Sequence, residues 1–385
     1  HRALARRAAA AAVTLLKNEG ILPLDPARVK RLAVLGSAAH ATLPVGQLMA
    51  DYYAGGGLGH VIPSSVVSPL TAIEQRARTA GVEVLSIKDT NINNIRRLNE
   101  VAAADAVVIV AAAAAADTAD RASLALDDRA NDLVAAAGAL RKPTVVLMQT
   151  PGAVLTPWRG YDHVKAAANL FLAGEQTGPA WADVLFGDVA PEGRLPIVLP
   201  ATEADARPLG RSPALSFREG LLTSYRSPST SAAFPFGHGL TYTTFALSAP
   251  RQQPAANCSA SACVSVKVTN TGARAGAAVA QAYVEFPQGL GEPNLVLRGF
   301  RKVRLEPGES KEVSFALAAR DLSVYQPGRG WELQEAVLLH VGASSGDLQE
   351  PIPVHAAPAP ATAPAPAPAP ATSLGLESAV VDLGA

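Results

Sequence analysis

Apolar residues alternate between helix-like and strand-like spacing over the first 200 residues of the chain. Residues 2–18 are rich in Ala and Leu and lack Gly and Pro, which predicts a helix that ends before Gly20. Short apolar runs then alternate with helical segments, a pattern typical of a mostly parallel sheet with helices on both faces. The predicted strands cover 31–36, 82–87, 105–110, 144–148 and 164–172. The predicted helices cover 69–80, 95–104, 123–140 and 178–186.

A different pattern begins after about residue 200. Residues 201–233 show no strong periodicity, and from residue 262 apolar and polar positions alternate, as at Val264, Val266 and Val268. Further strand-like runs are separated by Gly and Pro turns with no helical pattern between them. These runs cover 279–286, 295–304, 311–318 and 336–341. The sequence therefore predicts a small antiparallel β-sandwich.

The end of the chain is an Ala-Pro repeat over residues 357–372. Proline removes backbone donors and favours an extended conformation, so we expect a semi-rigid or disordered tail, assigned to 351–385.

Composition narrows the classes of partner. Lys+Arg and Asp+Glu are 33 each and no long basic run occurs, so we expect no nucleic-acid partner. The longest apolar stretch, 106–116, is too short to span a bilayer, and no membrane association is expected. No His/Cys cluster has metal-ligand spacing. The run GGGLGH departs from G-x-G-x-x-G because His60 stands at the last glycine, which disfavours a nucleotide-binding module.

Three features concern localisation. Cys258 and Cys263 are close enough to form a disulfide, but two free thiols are equally compatible with the sequence. The chain opens on His1 with no visible signal peptide, which indicates a processed form or a fragment. Asn257-Cys258-Ser259 is a possible glycosylation sequon, so we expect a secreted protein.

The stretch VVIVAAAAAADTADR over 107–121 carries the strongest chemical signal. An apolar strand leads into a loop that presents Asp117, Asp120 and Arg121. Ligands of open α/β sheets lie outside the carboxyl ends of strands, so a carboxylate there is a candidate for chemistry. The structural alternative is a helix-capping Asp beside a surface Arg.

Several segments in a fixed order resemble glycoside hydrolase family 3, a group of β-glucosidases, β-xylosidases and exo-glucanases. They are LLKNEGILPL (15–24), AGGGLGHV (54–61), SPLTAI (68–73), DTADRASLALDD (117–128), PGAVLTPW (151–158), AGEQTG (173–178), ADVLFGDVAPEGRLP (182–196), FPFGHGLTYTTF (234–245), VTNTGARAG (268–276), LRGFRKVRLEPGES (297–310) and DLSVY (321–325). The resemblance covers residues 1 to about 348. It implies an α/β sandwich, with a mostly parallel six-stranded sheet and flanking helices, followed by an all-β fibronectin type III-like sandwich.

The resemblance also implies domain boundaries. A helical linker from a barrel would occupy 1–24, the α/β sandwich 25–200, a connecting segment 201–245, and the fibronectin type III-like domain 246–350.

Retaining glycosidases use two carboxyl groups about 5–5.5 Å apart, a nucleophile and an acid/base. In family 3 the nucleophile is an Asp on an N-terminal TIM barrel, which this chain has no room for, since such a barrel takes about 250 residues. We therefore expect the chain alone to lack its nucleophile. The acid/base is a Glu in a segment usually written EGxDR, where this chain has Asp117 and Thr118. Either Asp117 serves as acid/base in a shifted loop, or the site is degenerate.

The remaining site residues follow from the same resemblance. Gly55, Gly56, Gly57 and Leu58 would lie near the aglycone, with Leu58 in place of the family's Ser. Asp120 and Arg121 are candidate substrate-binding residues, although an ion pair between them that fixes the loop is the favoured interpretation.

Four further residues stand in family motifs or are large aromatics. None of them is assigned a catalytic role. Arg226 lacks the Tyr-Tyr-Asp that follows it in the family, which weakens a site role. His238 is interpreted as a turn or interdomain hydrogen-bonder, and Trp158 and Trp331 as packing residues.

Two functional hypotheses result. The first is the C-terminal portion of a retaining β-glycosidase that needs no cofactor and, with its barrel, hydrolyses terminal β-glucosyl or β-xylosyl residues of an oligosaccharide or glycoside. The second is an inactive family member that acts as a carbohydrate-binding or assembly module.

Overall fold

The computed structural model describes residues 1–42, 50–87, 101–117, 120–206 and 217–357. The predicted helix over 95–104 therefore lies mostly outside the described residues, as do Thr118 and the Ala-Pro repeat from residue 358 onward.

The N-terminal segment is a helix followed by a strand. Helix α1 spans Arg2–Ala12 and strand β1 spans Thr14–Asn18, so the prediction of one helix over 2–18 was wrong in its last third. The β1 strand pairs antiparallel with β6 (Val164–Phe171), with Thr14 opposite Asn169. Both Leu15 and Leu16 are buried, because adjacent strand residues point into opposite faces of the sheet. The segment assigned to a linker thus contributes an edge strand.

The central sheet has six strands in the order β1-β6-β5-β4-β2-β3. Its inner members are β6 together with β2 (Arg31–Leu35), β4 (Ala106–Ala112) and β5 (Thr144–Thr150), and its edges are β1 and β3 (Glu83–Ile87). All neighbouring pairs except β1–β6 are parallel. The predicted mostly parallel sheet is confirmed, and the five strands predicted from apolar runs are all present.

Helices cover both faces of this sheet. Val108 and Val110 of β4 join one core with Trp181, and Val107 and Ile109 join a second core with Trp158. The first core is covered by α1, α2 (Pro69–Thr79) and α4 (Thr177–Leu185), and the second by α3 (Ala130–Ala137).

Helix α3 is shorter than the predicted 123–140. Short 3₁₀ turns, Asp127–Arg129 and Gly138–Leu140, flank it, and both Asp128 and Arg129 have positive φ. The positive φ of Asp128 and Arg129 breaks the helix on the N-terminal side of α3, so residues 123–126 are not helical. Asp127 turns its carboxylate toward the loop after β4.

The C-terminal part is a sandwich of two antiparallel sheets. The first contains β9 (Phe245–Leu247), β10 (Arg251–Gln252), β11 (Ala262–Asn270) and β14 (Ser310–Leu317). The second contains β12 (Gly276–Glu285), β13 (Val296–Leu305), β17 (Ala336–Ser344), β18 (Asp347–Leu348) and β19 (Ile352–His355). Two small hairpins complete the set, β7 (Leu199–Pro200) with β8 (Ala232–Phe234) and β15 (Ser323–Gln326) with β16 (Gly330–Leu333).

The structure of the sandwich decides how the two cysteines pair and corrects where the C-terminal tail begins. Cys258 and Cys263 form a disulfide, which closes the loop before β11. Strand β19 occupies residues assigned to the tail, because the buried Val354 packs in the sandwich core.

Candidate functional site

The candidate site lies at the carboxyl end of β4, where residues 113–117 leave the sheet. The N–H of Ala113 donates to the carbonyl of Gln149 at 3.0 Å, and that of Ala114 donates to Asp127 Oδ2 at 2.8 Å. These bonds lead the chain out to Asp117, whose side chain is exposed. The position agrees with the prediction from strand-end geometry.

A glycine turn lies directly against this loop. The N–H of Gly56 donates to the carbonyl of Ala115 at 2.9 Å, and that of Leu58 donates to Asp117 Oδ2 at 3.0 Å. Gly57 has a φ of 95°, and a Cβ there would overlap the Asp117 carboxylate. The structure thus brings together Asp117 and the Gly55–Leu58 segment, and glycine permits both the backbone conformation and the close approach.

Asp51 and His60 close the base of the glycine turn. Asp51 Oδ1 accepts the N–H groups of Tyr53 at 2.7 Å and Ala54 at 2.5 Å, and Asp51 Oδ2 lies 2.9 Å from His60 Nε2. Burial raises the pKa of the Asp51 carboxyl, but the hydrogen bonds from Ala54, His60 and Tyr53 outweigh it and hold the pKa below its ordinary value. Asp51 is therefore a buried, ionised acceptor.

The Asp127 carboxylate also supports the loop that follows β4. Asp127 accepts the Ala114 N–H and contacts the hydroxyl of Tyr52. Burial raises the pKa of Asp127 above its ordinary value, although the Ala114 hydrogen bond and the nearby charge of Arg121 act in the opposite direction.

The Arg121 guanidinium binds backbone carbonyls and not the Asp120 carboxylate that had been predicted as its partner. Its guanidinium donates to the carbonyls of Ala153 at 2.9 Å and Ala125 at 2.7 Å, and burial lowers its pKa. Asp120 is exposed and forms no hydrogen bond or ion pair with the described residues, so the predicted Asp120–Arg121 pair is wrong. The guanidinium reaches the two carbonyls because it turns inward, between the 121–125 and 151–153 segments.

Glu175 fixes the segment that follows the glycine turn. Its Oε1 accepts the N–H of Ser64 at 2.5 Å and the hydroxyl of Ser64 at 2.6 Å. Between these anchors, Val61 and Ile62 are exposed, and Leu58 is 96% exposed at the tip of the turn. The structure thus presents apolar side chains beside Asp117.

The other residues singled out in the sequence lie away from Asp117. His238 Nε2 bonds the carbonyl of Leu16 at 2.8 Å, which confirms its structural hydrogen bond, and Trp158 is fully buried as predicted. Trp331 packs against Tyr325 on the β15–β16 hairpin and against the Arg320 guanidinium, as predicted, although at 47% exposure this packing is on the surface and not in the core. Arg226 bonds the hydroxyl of Thr223.

Three groups around Asp117 were missed from the sequence: Asp51, His60 and Asp127. An Asp shortly before a glycine run is typical of turns, which is a usable signal, but no periodic pattern pairs it with His60. Among the described residues, no cluster of His, Cys, Asp or Glu has the arrangement of a metal site. In the same residues, every helix is too short or too polar to cross a bilayer.

Comparisons with known proteins are consistent along the chain. The glycosyl hydrolase family 3 C-terminal domain matches residues 13–242, and a fibronectin type III-like domain matches residues 278–345. A probable β-glucosidase G of Aspergillus terreus is 35% identical over 92% of this chain and 48% of its own length. The thermostable β-glucosidase B of Acetivibrio thermocellus is 31% identical over 90% of this chain and 47% of its own length.

A solved structure shows the same fold. The β-D-glucoside glucohydrolase of Trichoderma reesei matches with a TM-score of 0.82 and 27% identity, over 93% of this chain and 56% of that one. The chain thus spans about half the length of the relatives that it matches. It belongs to glycoside hydrolase family 3, as the C-terminal α/β domain of that family followed by its fibronectin type III-like domain.

Proposed function

We propose that this chain supplies the acid/base side of a retaining β-glycosidase that hydrolyses terminal β-glucosyl or β-xylosyl residues. The observation that carries the proposal is the Asp117 carboxylate, exposed at the carboxyl end of β4 and held by the Leu58 N–H. The names of the relatives, which are β-glucosidases, support the substrate class.

The mechanism needs a second carboxylate from outside this chain. A nucleophile on a barrel domain would attack the anomeric carbon while Asp117 protonates the departing oxygen. Asp117 would then take a proton from the water that releases the sugar. The turn at Gly55–Leu58 lies on the same side as Asp117, so it would face the leaving group.

Aspartate at this position requires the loop to compensate for a missing methylene. A carboxyl that is about 1 Å out of place can lower a rate about a hundredfold. The close contact with Gly57 supports such a compensation, since the absence of a Cβ lets the turn approach the shorter side chain.

A hybrid enzyme tests the proposal. The chain would be joined behind the barrel of the Acetivibrio thermocellus β-glucosidase, in place of that protein's own C-terminal portion. We expect Asp117→Asn to lower kcat/KM for cellobiose by about two orders of magnitude or more, while kcat/KM for 2,4-dinitrophenyl β-glucoside, whose leaving group needs no proton, stays nearly unchanged. The variant also lacks the base of the second step, so kcat should fall for both substrates. Added azide should accelerate the variant and yield β-glucosyl azide.

The matched control is Asp120→Asn, which removes an exposed carboxylate three residues away. Equal losses of kcat/KM for both leaving groups, or the same losses in both variants, would refute an acid/base role for Asp117. We expect the chain alone to release no nitrophenol from p-nitrophenyl β-glucoside or β-xyloside, and clear turnover would reveal a nucleophile within these residues.

We also propose that the protein is secreted. The Cys258–Cys263 disulfide supports an oxidising compartment, and Asn257 of the sequon is exposed. Cell fractionation with an antibody to the chain tests this, and recovery in the cytoplasm with free thiols would contradict it.

A further inference from the structure

We propose that Asp51 and His60 are positioning residues that clamp the glycine turn and thereby hold the Asp117 carboxylate in place. We call these two side chains the Asp51–His60 clamp. The effect on catalysis depends on the proposed function of Asp117, whereas the clamp itself can be tested without it.

The clamp is a buried pair in which both oxygens of the Asp51 carboxylate face donors. The Asp51 side chain is 4% exposed and the His60 side chain 8%. One carboxylate oxygen takes two backbone N–H groups and the other lies 2.9 Å from His60 Nε2. A buried carboxylate without hydrogen-bond donors is strongly unfavourable. Removing His60 would therefore leave Asp51 Oδ2 charged, buried and without a donor.

The clamp joins the two ends of a glycine-rich segment, residues 51–60. The N–H of Asp51 donates to the carbonyl of Gly55 at 3.1 Å, and the N–H of His60 donates to the carbonyl of Gly57 at 3.1 Å. Glycines lose more conformational entropy on ordering than other residues do, so a glycine run needs a fixed base to hold one conformation. The Asp51–His60 contact supplies that base across nine residues.

The tip of the segment carries the groups that touch the acid/base loop. Gly56 and Leu58 donate to Ala115 and Asp117, and both donors lie between the clamped ends. The Leu58 N–H is the hydrogen bond that the described residues give to the Asp117 carboxylate. Opening the clamp therefore frees Asp117 to adopt other side-chain orientations.

His60 acts through Asp51 and not on a substrate. Its Nε2 is engaged with a buried carboxylate, and the side chain is almost fully enclosed. This arrangement assigns the Nε2 proton to the hydrogen bond with Asp51. The enclosure of the ring keeps it from contacting a sugar on the open side of the turn.

Amide hydrogen exchange on the full chain tests the clamp directly. We expect His60→Ala to accelerate exchange at Gly56 and Leu58 by about tenfold or more, and His60→Gln, which can still donate to Asp51, to restore part of the protection. The matched control is His340→Ala, because His340 Nε2 forms an equivalent contact with Glu285 at 2.8 Å in the fibronectin type III-like domain. Unchanged exchange at both amides in His60→Ala would overturn the clamp.

The hybrid enzyme tests the consequence for Asp117. We expect His60→Ala to lower kcat/KM for cellobiose by about ten- to a hundredfold while kcat/KM for 2,4-dinitrophenyl β-glucoside is affected far less, because only the first leaving group depends on a well-placed acid. A merely structural role would lower both kcat/KM values alike, and that outcome would overturn the positioning role. If Asp117→Asn itself shows no dependence on the leaving group, the proposed function fails while the exchange experiment still decides the clamp.

Discussion

The Asp117 carboxylate occupies the space that a side chain at residue 57 would need. Gly57 is therefore the position of the turn most sensitive to substitution. Its φ of 95° lies in a region that other residues enter only with strain, and a Cβ would meet the Asp117 carboxylate. We expect Gly57→Ala to lower the free energy of unfolding by about 1–3 kcal/mol. It should also turn Asp117 away from Leu58. Urea denaturation of the chain measures the first effect, and hydrolysis of cellobiose by the hybrid enzyme measures the second.

Gly59 offers a matched control two residues away. A Cβ at Gly59 meets nothing within 4 Å, so Gly59→Ala should leave the unfolding free energy unchanged or raise it by up to about 1 kcal/mol. Equal stability of the two variants would show that the close approach of Gly57 to Asp117 does not exist in solution.

Asp127 should make the stability of the chain depend on pH. Its pKa is raised by burial, so the folded state binds this proton more tightly than the unfolded state does. The free energy of unfolding therefore decreases as the pH rises from about 4 through the raised pKa. Asp127→Asn, which cannot ionise, should become progressively more stable than the unchanged chain across that interval.

Denaturation of both proteins at several pH values between about 4 and 7 measures this difference. Asp120→Asn is the control, because Asp120 is an exposed carboxyl. A difference between Asp127→Asn and the unchanged chain that is constant with pH would contradict the effect.

The positions of the candidate site residues could be predicted from the sequence, but most of their hydrogen-bond partners could not. Asp117 could be placed because an apolar strand ends just before it, and the end of a parallel strand has a known position in the sheet. The partners of Arg121 are backbone carbonyls of residues 125 and 153, which no pattern of side chains reports. His60 and Asp51 were missed as a pair for the same reason, since their contact depends on how a glycine turn folds.

At the scale of elements, β1 shows how tertiary pairing outweighs local propensity. The run after Ala12 has residues that are good helix formers, yet it adds an edge strand to the sheet beside β6. The sequence signal that was available is weak, the β-branched pair Val13-Thr14 within an Ala- and Leu-rich run. By contrast, the inner strands were predicted within a few residues because a strand buried on both faces is continuously apolar.

Substitutions in β1 test its place in the sheet. Leu15 and Leu16 are adjacent but belong to the two different cores, so each Leu→Ala change should cost about 2–5 kcal/mol of unfolding free energy. Leu4→Ala in α1, at a residue that is 63% exposed, should change it by less than about 0.5 kcal/mol. Urea denaturation measures all three. A large loss at only one of the two β1 positions would indicate a surface helix with one buried face.

At the scale of the molecule, the two domains are joined through buried polar contacts. Gln281 of β12 donates from Nε2 to the carbonyls of Gly237 at 3.0 Å and Ala343 at 2.6 Å. The Gly237 segment is bound in turn to the α/β domain, since its N–H donates to Leu195 and the neighbouring His238 bonds Leu16. Ion pairs from Glu192 to Lys302 and Arg304 lie at the same junction. The order of motifs predicted both domains, and His238 was interpreted as a turn or interdomain hydrogen-bonder, but Gln281 was not identified, because its partners are backbone carbonyls.

This junction predicts that the α/β and fibronectin type III-like domains unfold together. Gln281→Leu conserves volume but leaves two carbonyls and the Tyr283 hydroxyl without their partner, so it should cost about 1–3 kcal/mol and separate one thermal transition into two. Gln349→Leu is the matched control, because Gln349 donates to Leu247 within the fibronectin type III-like domain. Scanning calorimetry of the unchanged chain, Gln281→Leu and Gln349→Leu shows whether each unfolds in one thermal transition or in two. Two transitions in the unchanged chain would show that the contacts at Gln281 do not couple the domains, and the positioning of Asp117 would then depend on the α/β domain alone.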